Sequence, residues 1–212
     1  MSVRANHLCS LWRRGAQSLA AKSSPHQPAS LIAPLTHLTE EETLMREAAI
    51  RFAQDTVKPL VKEMDERSMM HSSVIQGLFK QGFMCIETPQ EYGGTGANFM
   101  SAVLVVEELS RVDPSVGVFC DVQNTLVGPL VSLFGTQELK KEYLPRLAKD
   151  LVGAFCLSEV GSGSDAFALK STALPRGSDY VLSGSKMWIT NAEHAGVFLV
   201  MANVNPELVR PA

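Results

Sequence analysis

The sequence lacks an excess of basic residues, paired cysteines and a long uninterrupted apolar run. It has 19 Lys and Arg against 22 Asp and Glu, so a basic surface for nucleic acid is not predicted. Its four cysteines show no C-x-x-C spacing, which argues against a zinc site or a disulfide framework and predicts free, buried thiols in a reducing compartment. The most apolar region, residues 116–134, is interrupted by polar residues and a proline, so no membrane span is predicted.

The first 38 residues contain no Asp or Glu, and arginine and serine recur among them. This composition is typical of a mitochondrial transit peptide. A secretory signal would need an unbroken apolar core, and Arg13 and Arg14 interrupt the place where that core would lie. We therefore predict a transit peptide and linker over residues 1–35 and the mitochondrial matrix as the destination. A tail with no targeting role is the alternative.

Residues 36–152 have mostly helical periodicity and few strand signals. Thr39 and Glu42 have the spacing of a capping box, in which each residue satisfies a free amide at the start of a helix. The apolar pattern that follows predicts a long first helix with a kink at Pro59. The Pro- and Gly-rich segment 89–96 is predicted to be a loop. Further helices are predicted over residues 73–81, 98–111, 115–134 and 136–147.

The helix predicted over residues 98–111 has two features that the structure can test. Its apolar spacing predicts that Val103, Val106 and Leu109 are buried. Glu107 and Glu108 are adjacent and so point about 100° apart on a helix. We therefore expect them to be solvated or locally paired, not to act together as one pair of carboxylates.

The pattern changes after residue 149 from a helical period to a period of two. Apolar, β-branched and aromatic runs predict strands over residues 154–157, 180–182, 186–189 and 197–201. Helices followed by consecutive strands indicate an α+β protein. We predict an all-α domain over residues 36–152 and a partial β-barrel or β-sandwich domain over residues 153–212.

A loop of small residues follows the first predicted strand. Residues 159–165 read Glu-Val-Gly-Ser-Gly-Ser-Asp, and such residues let backbone amides and hydroxyls converge on a polar or anionic ligand. The loop is neither a P-loop nor a dinucleotide-binding fingerprint. A plain connection between strands is the alternative, as core packing is for Trp188. His194 has no second ligand at metal-binding spacing, so no metal site is predicted.

The residues around this loop carry a family resemblance. The pattern is Cys156-Leu157-Ser158-Glu159-x-x-Ser162-Gly163-Ser164-Asp165-x-x-Ala168. It is followed by Met187-Trp188-Ile189-Thr190-Asn191-Ala192 and preceded by Glu91-Tyr92-Gly93-Gly94-Thr95-Gly96. These stretches resemble the acyl-CoA dehydrogenase family, in particular its mitochondrial short/branched-chain branch, over residues 39 to about 203.

The resemblance implies FAD as the cofactor and assigns residues to it. Ser158 would bind the pyrimidine edge of the isoalloxazine, Trp188 would pack against the ring system and Thr190 would hydrogen-bond near N5. Ser164 would also touch the acyl-CoA substrate. The implied cofactor-binding residues are Phe155, Cys156, Leu157, Ser158, Glu159, Val160, Gly161, Ser162, Gly163, Ser164, Trp188, Ile189 and Thr190.

The resemblance also implies an activity for the full-length enzyme. It is α,β-desaturation of a short or branched acyl-CoA, in the breakdown of fatty acids or branched-chain amino acids, by a homotetramer that passes electrons to an electron-transfer flavoprotein. The family's catalytic Glu lies in a second helical domain, which we expect this chain to lack. No catalytic residue is assigned here, and the chain is expected to be inactive alone. The alternatives are a non-catalytic product that at most binds FAD or joins full-length subunits, and an acyl-CoA oxidase.

Overall fold

The computed structural model describes residues 36–177 and 179–205, and within these ranges seven α-helices precede four β-strands. This order confirms the α+β class. The predicted transit peptide, at residues 1–35, lies outside the described residues. The helices are α1 Glu40–Phe52, α2 Val61–Arg67, α3 Ser72–Lys80, α4 Phe99–Ser110, α5 Pro114–Asp121, α6 Gly128–Phe134 and α7 Gln137–Lys149. The strands are β1 Gly153–Cys156, β2 Thr172–Arg176, β3 Asp179–Ser183 and β4 Val197–Val200.

The start of the first helix and its change of helix type near Pro59 follow from local chemistry. The amide of Glu42 donates to Thr39 Oγ1 at 3.2 Å, and the amide of Thr39 donates to Glu42 Oε2 at 2.7 Å, so the predicted capping box is confirmed. After α1 the chain continues as a π-helical segment, Ala53–Val57, and a 3₁₀ turn, Lys58–Leu60. The change of helix type occurs where Pro59 has no amide hydrogen to donate.

The main hydrophobic core lies between α1, α3, α4 and α5. The rings of Phe52 and Phe83 meet edge to face, with centroids 5.9 Å apart, inside this core. Leu109 is buried as predicted, but Val103 is 43% exposed, and its predicted burial is wrong. The buried face of α4 carries residues 101, 102, 104, 105, 108 and 109, and at about 100° per residue Val103 lies on the opposite side of the helix.

An ion pair joins α4 to α1. Arg46 Nε lies 2.7 Å from Glu108 Oε1, and the side chain of Glu108 is only 6% exposed. Glu107 pairs instead with Arg111 one turn later, at 2.8 Å. Glu107 is thus locally paired, as predicted, and the two glutamates share Arg111 as a partner. Glu108, however, has a long-range partner in addition to its local pair with Arg111.

The helical stretch Pro114–Phe134 comprises α5, a π-helical segment Val122–Val127 and α6. By length and composition it could cross a membrane, but half of its most apolar window is buried in the protein. Buried core helices pass the same test, so this is weak support for a span. Its polar residue Asn124 binds within the fold: Oδ1 accepts from the Ile86 amide, and Nδ2 donates to the Phe83 carbonyl, both at 2.7 Å.

The strands form two small sheets in the part of the chain that the structure describes. β1 is parallel to β4, from Gly153 opposite Val197 to Cys156 opposite Val200. β2 and β3 form an antiparallel pair. Three of the predicted strands correspond to β1, β3 and β4. The strand predicted over residues 186–189 is wrong, because the segment has no strand partner and Trp188 has a φ of 57°. β2 contains Pro175 and was missed.

Candidate functional site

The loop after β1 closes on itself before it reaches β2. The amide of Glu159 donates to the Ser162 carbonyl at 2.9 Å, and the Ser162 amide donates back to the Glu159 carbonyl at 3.1 Å. Ser162 Oγ donates to the Asp165 carbonyl at 2.8 Å. A Cβ at Gly161 or Gly163 would meet no atom within 4 Å. The tip of the loop therefore faces open space, and it is accessible to a ligand.

A buried ion pair lies behind this loop. Lys186 Nζ is 2.7 Å from Glu159 Oε1 and donates to the Leu157 carbonyl at 2.9 Å. The Glu159 carboxylate also accepts from the amides of Lys170 and Ser171, at 2.7 and 3.0 Å. The hydrogen bond from Lys186, followed by those from Ser171 and Lys170, lowers the pKa of Glu159 to about 2. Glu159 is therefore a charged structural anchor at neutral pH and an ineffective proton acceptor.

The segment that carries Trp188 lies against the start of the loop. The Met187 amide donates to the Ser158 carbonyl at 3.0 Å. Farther along, Asn191 Nδ2 donates to the carbonyls of Phe119 and Gly153, at 3.1 and 3.2 Å. Trp188, between these contacts, has left-handed backbone with a φ of 57°. That conformation costs a non-glycine residue about 1–2 kcal/mol, and it turns the indole outward, where it is 85% exposed.

The structure places the predicted cofactor-binding residues on two adjoining segments with different exposure. Cys156 and Ser162 are buried, at 5% and 3% exposure, so their side chains are not available to a ligand. Taken as whole residues, backbone included, the half-buried ones are Phe155, Leu157, Ser158, Glu159, Ile189 and Thr190. The exposed residues are Val160, Gly161, Gly163, Ser164 and Trp188. Backbone pairing brings Ser158 beside the Trp188 segment, whereas Ser164 lies farther along the loop.

The chemistry of this surface fits a planar cofactor with polar edges. The hydroxyls of Ser158, Ser164 and Thr190 make no hydrogen bond to any described residue, so they can donate to a ligand. Trp188 adds an exposed aromatic face. An isoalloxazine needs both features: donors that stabilise negative charge on reduction and an apolar face that excludes water. We call Ser158, Trp188 and Thr190 together the Trp188 surface.

Sequence patterns missed two residues that build this surface. Lys186 pairs with Glu159 from 27 positions away, and no local pattern connects the two residues. Asn191 is 7% exposed and has a φ of 68°, and its position in the motif gave no sign of either property. Phe167, which is 94% exposed beside the loop, had a visible signal, because it is a large aromatic residue between two alanines.

Other parts of the described structure offer weaker candidates. A concavity of about 270 Å³ lies over α4 and α5, and its lining includes Phe99, Val103 and Val106. A wider groove lies between α3 and α7. The predicted cofactor residues line neither of them. Among residues 36–177 and 179–205 there is no group of three or more His, Cys, Asp or Glu that could hold a metal ion.

Comparison with known proteins gives a consistent result. Residues 39–150 match the acyl-CoA dehydrogenase N-terminal domain, and residues 154–210 match the middle domain. The short/branched chain specific acyl-CoA dehydrogenase, mitochondrial, of Rattus norvegicus is 55% identical over 174 residues, which are 82% of this chain and 40% of that protein. The chain thus spans less than half the length of this curated relative.

Two solved structures have the same fold over the same region. One is described as an electron transferring flavoprotein of Acidaminococcus fermentans. It superimposes with a TM-score of 0.79 and 36% sequence identity, and the match covers 82% of this chain and 46% of the other chain. The other is a glutaryl-CoA dehydrogenase from Mycobacterium smegmatis in complex with FADH2. It superimposes with a TM-score of 0.76 and 32% sequence identity, and the match covers 79% of this chain and 44% of the other chain. The helical part followed by a sheet-containing part is therefore a known arrangement.

Proposed function

Because this chain belongs to the acyl-CoA dehydrogenase family, we propose that it supplies the Trp188 surface of an enzyme that desaturates short or branched acyl-CoA at the α,β-position with FAD. The observation that carries the proposal is the exposed Trp188 indole beside the unpaired hydroxyls of Ser158 and Thr190. The rat relative, named for short/branched-chain substrates, supports the substrate class.

Each residue of the surface has a separate task in this proposal. Ser158 would donate to the pyrimidine edge of the cofactor, where a hydrogen bond strengthens as negative charge develops on reduction, and Thr190 would hydrogen-bond near N5. Trp188 covers one face of the ring system and excludes water. Ser164, farther along the loop, orients the acyl-CoA. FAD, when bound, supplies the acceptor for the hydride that leaves the β-carbon.

The base that removes the α-proton comes, in our proposal, from outside the described residues. Glu159 is the carboxylate nearest in sequence to Ser158, and its ion pair with Lys186 and its lowered pKa make it unsuitable. A base needs a pKa near the working pH to be effective. We therefore propose that this chain, by itself, binds FAD without desaturating a substrate.

The visible spectrum of the purified chain tests this proposal. After addition of FAD and removal of the excess, we expect a flavin band at about 450 nm that short acyl-CoA does not bleach. Replacing Trp188 by alanine is expected to weaken FAD binding about tenfold or more, since stacking on an aromatic ring contributes about 1–3 kcal/mol. Leu133→Ala, at a residue 72% exposed on α6, is the matched control and should leave binding unchanged.

Two outcomes would contradict the proposal. Bleaching of the flavin by acyl-CoA would show that the chain contains its own base. Equal FAD affinity in the parent and W188A would show that the indole does not contact the cofactor. Peroxide formation by the complete gene product would favour an acyl-CoA oxidase, which passes its electrons to oxygen.

Exposed apolar residues on the strands favour a second candidate, a non-catalytic product that joins full-length subunits. Leu174, Val181 and Phe198 are 46%, 42% and 48% exposed, and strands with uncovered apolar faces and edges favour association. Co-elution of the purified chain with a full-length acyl-CoA dehydrogenase in size-exclusion chromatography would support this candidate. Separate elution at micromolar concentration would contradict it.

The remaining assignments for the full-length protein rest on the family resemblance and, for its location, on the name of the rat relative. We propose the mitochondrial matrix as its location, since the rat relative is mitochondrial. An electron-transfer flavoprotein is proposed as electron acceptor and a homotetramer as the assembly. We also propose the predicted domain division, residues 36–152 and 153–212, with the hydrogen bond from the Gly153 amide to Gln123 Oε1, at 2.9 Å, at the junction.

A further inference from the structure

We infer that the ion pair between Glu159 and Lys186 is a positioning device that holds the turn at Trp188 in its outward conformation before any cofactor binds. Neither charged group belongs to the Trp188 surface. Both affect cofactor binding only by holding the residues of that surface in place. This inference rests on the proposed function, because it assigns the pair to the presentation of the indole. It gives Glu159 a different role from the direct cofactor contact that the family resemblance implies, and it adds Lys186 to the site.

The pair connects the segments that must come together to form the surface. Lys186 lies two residues before Trp188, and its ammonium contacts both the Glu159 carboxylate and the Leu157 carbonyl just after β1. The same carboxylate accepts from the amides of Lys170 and Ser171, just before β2. One buried carboxylate therefore joins the end of β1, the approach to β2 and the Trp188 segment.

The backbone at Trp188 needs such an anchor. A left-handed φ is unfavourable for a residue with a large side chain, and the indole, at 85% exposure, gains little from packing in this conformation. The turn must therefore be held by its neighbours. Those neighbours are Lys186 on one side, the bond from the Met187 amide to Ser158, and Asn191 on the other side.

The surroundings of the pair distinguish it from exposed helical ion pairs in the described chain. Lys62 and Glu66 form an i,i+4 contact at 3.7 Å, with side chains 87% and 65% exposed, and exposed pairs of this kind contribute little to stability. Lys186 and Glu159 are 11% and 8% exposed and 2.7 Å apart. Removing either partner leaves a buried charge without its counterion, so the local structure must change.

The protein has two tryptophans, Trp12 and Trp188. In a W12F chain Trp188 is the only indole, so its fluorescence reports directly on the turn at Trp188. In this background we would compare the parent with Glu159→Gln, Lys186→Met, Lys186→Arg and the control Glu66→Gln. Time-resolved anisotropy and acrylamide quenching of Trp188 are measured first without FAD. FAD affinity is then measured by titration, and circular dichroism checks that each variant is folded.

We expect E159Q and K186M to give the indole faster local motion and to weaken FAD binding about tenfold, the lower end of the loss seen when supporting partners of metal ligands are removed. K186R keeps the charge and should resemble the parent, as should E66Q. Folded E159Q and K186M chains with the parent's anisotropy and FAD affinity would overturn the inference. The inference would also be overturned if K186R showed the same loss of anisotropy and of FAD affinity as K186M. In that case the positive charge at residue 186 would not be what holds the turn.

The two readouts separate this inference from the proposed function. If Trp188 is ordered in the parent and loosened in E159Q, but no variant binds FAD, the positioning role stands and the flavin assignment is refuted. If FAD binds equally to all variants and the indole keeps the parent's anisotropy in folded E159Q and K186M, the flavin assignment stands and the positioning inference is refuted. E159Q and K186M perturb opposite ends of the pair, so misfolding of one leaves the test to the other.

Discussion

Replacing Gln123 by leucine tests how the helices are joined to the strand that leads into the candidate site. Gln123 is fully buried. Its Nε2 donates to the carbonyls of Leu147 and Leu151, at 2.8 and 3.0 Å, and its Oε1 accepts from the Gly153 amide at 2.9 Å. Leucine has a similar size but can make none of these bonds. The substitution therefore leaves buried backbone groups at the end of α7 and at the start of β1 without their side-chain partner.

The size of the effect follows from these contacts. Each buried polar group left without a partner costs about 1–3 kcal/mol, whereas burial of the apolar leucine side chain recovers about 1.5–3 kcal/mol. We expect Q123L to lower the free energy of unfolding by about 2–4 kcal/mol, with the Gly153 amide as the largest single loss.

Urea unfolding followed by circular dichroism measures this change. The matched control is Gln54→Leu, at an exposed position, which should shift the free energy of unfolding by less than about 0.5 kcal/mol. A loss below about 1 kcal/mol for Q123L would refute the reasoning, because it would mean that water or a small backbone shift satisfies the Gly153 amide. If only the strands lost stability, the urea unfolding curve would show a second transition.

Further predictions concern titration, reactivity and packing. The pKa of Glu159 is lowered from 4.5 to about 2 in the folded protein, so its stabilising contribution is present above pH 4.5 and is lost as the pH falls towards 2; the difference in Tm between the parent and E159Q should shrink over this interval. Burial raises the pKa of Cys85 to about 11 and that of Cys120 to about 12; iodoacetamide at pH 8 should therefore leave both unmodified in the native protein and alkylate them in urea, as peptide masses will show. A methyl group at Gly153 would collide with Val127, so G153A should destabilise by about 1–3 kcal/mol, and G153A/V127A should be less destabilised than the two single changes together.

Local signals were sufficient for the helices and for the family. The capping box of Thr39 and Glu42 depends only on residues three apart, and the structure confirms it. The burial of Val103 was predicted incorrectly, because a helix rich in apolar residues on several sides does not show in its sequence which side meets the core. In α4 the contacts with α1 and α5 decide this.

The site was only partly predictable for a similar reason. Residues 186–189 have the composition of a strand, but the structure has left-handed backbone at Trp188 instead. The contacts responsible reach far along the chain, from Lys186 to Glu159 and from Asn191 to Phe119. Propensity describes neighbours in sequence, and it is overridden where tertiary contacts set the backbone.

The parallel pairing of β1 with β4 also has a consequence for the order of events during synthesis. Gly153 cannot pair with Val197 until the whole intervening segment, including the candidate loop and the β2–β3 hairpin, has left the ribosome. The helices before it depend on contacts that are available earlier, and non-local strand pairing is slow to form. A nascent chain arrested once Lys149 has emerged from the ribosome should therefore already protect its helices from protease, whereas the residues of β1 should become protected only once Val200 has emerged.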